Sequence, residues 1–140
     1  MGLRPGGGEI PFIHRDLCGI DLLGEAFRVS LGMPPLTPAS ALTKPESGGF
    51  VMVPEPLPYP SRVVQRTSMI GVVPEVYREI FPDVGEVFDG EGGYGHIGGR
   101  FHLRGPGEAA VRRAVHEVIR RYELVVQPAD DVVLLERAHR

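Results

Sequence analysis

The chain has one cysteine, Cys18, and one lysine, Lys44, among its 140 residues. A single thiol excludes an internal disulfide and a cysteine metal cage, which suits a reducing compartment, so a cytoplasmic location is expected. A surplus of cation is also lacking. Fifteen Lys and Arg stand against 18 Asp and Glu, a formal net charge of −3, whereas non-specific nucleic-acid binding rests on an excess of positive charge. No apolar run approaches the roughly 18 to 20 residues of a membrane span. Met1 is followed by Gly2, Leu3, Arg4 and Pro5, not by the basic stretch and apolar core of a secretory leader. Neither nucleic acid nor membrane is therefore an expected partner.

Glycine and proline are plentiful instead. With 19 and 14 residues they make up about 24% of the chain, close to the level at which low-complexity sequences begin. Hydrophobic residues nevertheless account for 42%, so the chain is expected to fold with many loops and turns, and a small all-helical bundle is excluded. A single domain of this length buries roughly 68% of its unfolded surface, enough for one core.

Residues 1–11 read as a glycine loop that precedes any regular element. A helix is predicted over 19–31, where Ile20, Leu23, Phe27 and Leu31 recur at helical spacing and Leu22 and Ala26 widen the stripe. Asp21 and Glu25 near its start and Arg28 near its end complement the helix dipole, and Gly32, Pro34 and Pro35 stop it. Residues 33–48 hold four prolines and no periodicity, and read as a loop. Strands are predicted over 50–55 and 62–70, joined by a segment containing Pro54, Pro56, Pro58 and Pro60. A short helix over 74–81, with Pro74 in its first turn, and a short strand over 86–88 follow.

From 94 to 104 the residues alternate. Ile97, Phe101 and Leu103 face one way and His96, Arg100, His102 and Arg104 the other, which predicts a half-buried strand with a cationic outer face. The second helix, over 106–122, carries Val111, Val115, Val118, Ile119 and Tyr122 as its stripe, with Glu108–Arg112 and Glu117–Arg121 as i,i+4 pairs. A strand over 124–127 and a polar tail over 128–140 complete the chain. This order predicts an α+β domain with a mostly antiparallel sheet and two main helices.

Arg4-Pro5-Gly6-Gly7-Gly8, then Ile10-Pro11, then Gly19-Ile20-Asp21-Leu22 opening a helix that ends at Leu31-Gly32, resembles the last part of the ATP-grasp carboxylate ligases. In that family an acidic strand of pattern Glu-x-Asn-x-Arg runs into a glycine-rich stretch and a helix. The strand over 94–104, Gly107-Glu108-Ala109-Ala110 opening a helix, and the closing strand are similar to the family's C-terminal tail, so the resemblance spans residues 1–127. It implies ATP-dependent ligation through an acyl phosphate, with ATP and Mg²⁺ as cofactors of the complete enzyme and a small carboxylate as substrate. Arg4 takes the motif's arginine position as a catalytic residue. The asparagine position falls on Gly2 and the glutamate would precede Met1, so the motif's metal-binding groups are absent and no metal ligand is expected here. An upstream ATP-grasp segment carrying the phosphate-binding lysines is the implied partner, and the chain alone is expected to be inactive and to bind neither ATP nor Mg²⁺.

The residues themselves allow two readings at each place. Arg4 with Gly6, Gly7 and Gly8 is either a permissive terminus or an anion cradle, its planar guanidinium and unshielded amides suited to a carboxylate or phosphate. It is not a P-loop, since no Gly-Lys-Ser/Thr follows. Arg100 and His102 are either a substrate-carboxylate platform or part of a solvated strand face. His96 and His102 could join His14, Asp16 or Glu91 at a metal, although no tight ligand spacing is present. Cys18 reads as packed, His116 as plain surface, and the arginines at 112, 113, 120 and 121 as a solvated helix face. Beside the ligase fragment stand two rivals: a non-catalytic binding or interaction module, and a small metal-dependent enzyme.

Overall fold

The computed structural model describes residues 7–36 and 46–129. Arg4 and Gly6, most of the proline-rich loop and nearly all of the polar tail lie outside the described residues. The chain starts with two short helices, α1 (Ile10–Cys18) and α2 (Leu22–Ser30), where the sequence predicts one. Pro11 suits the first turn of α1, and Gly19, in the left-handed region at φ 70°, ends it by turning its N–H back onto Arg15 and His14 carbonyls. Ile13 and Leu17, four apart, are its buried residues. In α2 the Asp21 carboxylate accepts from the Gly24 amide at 3.0 Å, an N-cap that fixes where the predicted 19–31 helix truly begins.

Six strands follow among the described residues: β1 (Ser47–Val53), β2 (Ser61–Arg66), β3 (Val76–Ile80), β4 (Val87–Phe88), β5 (Gly99–Gly105) and β6 (Leu124–Pro128), with α3 (Glu108–Arg121) between the last two. They form two antiparallel three-stranded sheets, ordered β1-β5-β3 and β4-β2-β6. The expected α+β class with antiparallel pairing is the observed one, with three helices among the described residues in place of two main ones.

The predicted helix over 74–81 is the strand β3. Val76 and Ile80 are four apart, which suits a helix. The mismatch with strand alternation comes from a bulge: Val76 pairs with Leu103 and Arg78 with His102, leaving Tyr77 as the extra residue. The strand predicted to reach residue 70 stops at Arg66. There the Glu79 carboxylate accepts from the Met69 amide at 2.8 Å and the Ser68 hydroxyl at 2.6 Å, drawing the segment into a turn.

Strand β5 is the centre of the first sheet, and its two faces are covered differently. Phe101 and Leu103 pack with Val51, Val111 and Val118 into the main core under α3. The opposite face meets α1. Two glycines of β1 show why the sandwich closes: a Cβ on Gly48 would press into Leu17 and Ile13 of α1, and one on Gly49 would stand 2.7 Å from Val111 of α3. Successive strand residues point to opposite faces, so α1 and α3 lie on opposite sides of the sheet. Tyr122, just beyond α3, sets its ring edge-on to Phe101 at 4.7 Å and donates to the Gly98 carbonyl at 2.6 Å. Burial pushes its phenol up to about 12. No helix among the described residues is long and apolar enough to cross a membrane.

Candidate functional site

Gly8, with φ 65°, turns the chain into α1. The next residue, Glu9, occupies the N-cap position, but its side chain makes no capping bond. It runs down into the sheet instead and is buried at 3% exposure. One carboxylate oxygen lies 3.0 Å from an Arg100 guanidinium nitrogen and the other 2.6 Å from His102 Nε2. A carboxylate only accepts, so Nε2 is the protonated nitrogen that donates to it. Both partners sit on β5, two residues apart and therefore on one face.

The cluster extends on two sides. The bulge at Tyr77 turns its ring edge-on to the His102 imidazole at 5.9 Å, and the Tyr77 hydroxyl donates to Asp16 of α1 at 3.2 Å. Burial, then the Asp16 charge and the bond to it, push the Tyr77 phenol up to about 12, against the opposing pull of Arg78 and Arg104. Arg104 holds its guanidinium 5.4 Å from the Tyr77 ring centre. A cleft of about 480 Å³, lined in part by Glu46, Glu75 and Arg104, opens at that end of β5.

The expected cationic face of β5 therefore exists for Arg100, His102 and Arg104, but it is not wholly solvated. His102 is 1% exposed. The carboxylate that meets Arg100 and His102 is the chain's own, from Glu9. Among the described residues, His102 Nδ1 and Arg100 Nε are buried without a hydrogen-bond partner, so both side chains depend on Glu9 as their acceptor. Chemically, the group is a positioning clamp: it fixes the start of α1, and with it the turn at Gly7 and Gly8, onto the central strand.

Other predicted residues are dispersed. Gly7 and Gly8 are exposed and have open space around their α-carbons. His96 precedes β5 and stacks edge-on against Phe88 of the second sheet at 6.4 Å, so it is not brought to His102. Among the described residues no three His, Cys, Asp or Glu side chains are grouped as metal ligands. Cys18 is half-buried. His116 is exposed, and on α3 Arg112 pairs with Glu108 while Arg120 and Arg121 pair with Glu117, holding its carboxyl below the ordinary range. Sequence reasoning passed over Glu9 and Tyr77. A signal for Glu9 was available, since it is the lone acid between a glycine run and the apolar Ile10.

Comparison of the chain with protein-family models, with curated proteins and with solved structures finds no match.

Proposed function

We propose that the chain is the C-terminal portion of an ATP-grasp carboxylate ligase, joining an acid to an amine or similar nucleophile through an acyl phosphate in a cytoplasmic setting. One observation supports this reading: Glu9 fastens the turn at Gly7 and Gly8, the described end of the stretch that resembles the family's motif, to the basic face of β5. Arg4 and the amides of Gly6, Gly7 and Gly8 are assigned to the anion, where fixed donors lower the energy of developing negative charge. Arg100 and His102 are positioning residues that act through Glu9.

Both oxygens of Glu9 are engaged by Arg100 and His102, and Asp16 accepts from Tyr77. As the resemblance implies, ATP and Mg²⁺ are assigned to the upstream ATP-grasp segment, with which this chain would act.

The test is ADP release with mixed carboxylates and amines, measured on this chain alone and on this chain joined to the in-frame sequence preceding its first codon. The joined protein is expected to turn over, the chain alone to be inactive, and Arg4→Ala to abolish turnover in the joined form. Absence of an upstream acidic strand, or a joined protein without ADP release, overturns the reading. A second reading, a non-catalytic binding module, draws on the engagement of Arg100 and His102 by the chain's own Glu9, and it gains from that negative result if the chain alone unfolds cooperatively.

A further inference from the structure

Sheet edges expose a row of unpaired amides and carbonyls, and natural proteins blunt them with charge, proline, bulges or brevity. Among the described residues, three of the four sheet edges are blunted. β3 carries Arg78, Glu79 and the Tyr77 bulge, β4 is two residues long, and β6 is short and ends at Pro128. β1 has none of these devices. Its seven residues, Ser47–Val53, contain no charge and no proline, and they pair with β5 in unbroken register from Ser47 opposite Gly105 to Val53 opposite Gly99.

The surroundings of this edge are largely apolar as well. A trough of about 340 Å³ runs beside it, lined by Ile10, Ile13 and His14 of α1, Gly49 and Phe50 of β1 and Val115 of α3. Phe50 remains 37% exposed and Ile10 38%. Ile119, one turn beyond Val115 on the same face of α3, is 63% exposed. Among the described residues, an apolar band therefore crosses from one helix over this unpaired edge to the other.

We propose that β1 is a dimerisation edge, at which a second copy of this chain adds antiparallel to form a continuous six-stranded sheet. An isologous contact requires a self-complementary surface, and this strand supplies one. Antiparallel pairing centred on Phe50 sets Ser47 opposite Val53 and places the two phenylalanines on the twofold axis. No charge lies along the seam to oppose a like charge in the partner, although each chain is net negative. The helices α1 and α3 of the two copies then face each other above and below the sheet through Ile10 and Ile119. The proposal is independent of the ligase reading.

Sedimentation equilibrium of the purified full chain, from micromolar to hundreds of micromolar, tests it. Wild type is expected to sediment as a dimer. Phe50→Lys enters a twofold contact twice and sets two cations on its axis, so dimerisation is expected to weaken by about 100-fold, about tenfold per copy. Ile119→Glu, at a more exposed position, is expected to weaken it in the same direction, and it carries the test if Phe50→Lys fails to fold by circular dichroism. A monomeric wild type overturns the proposal, as does a folded variant pair that dimerises like wild type; a foreign strand as the true occupant would appear as the first of these outcomes.

Discussion

Truncation of Glu9 to alanine is expected to be the most damaging single change on the α1 side of the sheet. The carboxylate is 3% exposed and is the acceptor for both Arg100 at 3.0 Å and His102 at 2.6 Å. Its removal strands a guanidinium and an imidazole beneath α1, and the imidazole already has an unpartnered Nδ1. Breaking a buried ion pair from one side destabilises by about 3 to 5 kcal/mol. Arg100 keeps 19% of its side chain exposed, which allows water to relieve part of that loss, so the lower end, about 3 kcal/mol, is expected. For a domain of this size that corresponds to a fall of about 10 °C in Tm. Urea unfolding followed by far-UV circular dichroism measures it. Glu9→Gln, which keeps an acceptor oxygen, is expected to lose less. Replacing His102 by leucine in the Glu9→Ala background should restore part of the loss, because two absent polar groups are less harmful than one left unpaired. A Glu9→Ala variant within about 1 kcal/mol of wild type, or a double-mutant cycle showing no coupling, would refute the clamp.

Two further changes test the same side of the fold. Gly48→Ala sets a methyl 2.5 Å from Ile13 Cγ2 and against Leu17, forcing α1 away from the sheet at a cost of about 1 to 3 kcal/mol; unchanged stability would show that α1 rides loosely on β1. Tyr77 ionises at about 12 in the folded chain against 10.0 ordinarily. Its raised folded value contributes stability that is intact below pH 10 and is lost as pH climbs toward 12, where the unfolded chain releases the proton first. Tyr77→Phe should therefore flatten the alkaline decline in stability, leaving the share due to Tyr122; an identical decline in wild type and variant would contradict this assignment.

The elements most legible in the sequence were those whose periodicity is set by one buried face. Helix α3 shows Val111, Ala114 and Val118 buried at helical spacing, and β5 alternates strictly because Phe101 and Leu103 enter the core. Helix α1 was hidden because it buries only Ile13 and Leu17 and follows a glycine run that mimics a loop. Helix α2 was legible for a different reason. Its stripe is regular, yet Leu23, Phe27 and Leu31 are 54%, 67% and 61% exposed, so amphipathic spacing announced a helix without announcing a buried one. In β3, pairing with β5 overrode a local pattern that suited helix, and the bulge at Tyr77 removed the alternation that would have revealed it.

The site was half legible for a related reason. Alternation placed Arg100, His102 and Arg104 on one face, which is a local property of a strand. Whether that face meets water is a nonlocal property, decided here by a residue 93 positions from His102. A basic strand face is read as solvated because its charge is difficult to bury, yet burial becomes tolerable once one carboxylate accepts from both Arg100 and His102. Glu9 does so from the N-cap position of α1, where its side chain makes no capping bond. A side chain inside what read as a glycine loop thus serves the sheet, and the strand face that read as solvated is the place where α1 is anchored.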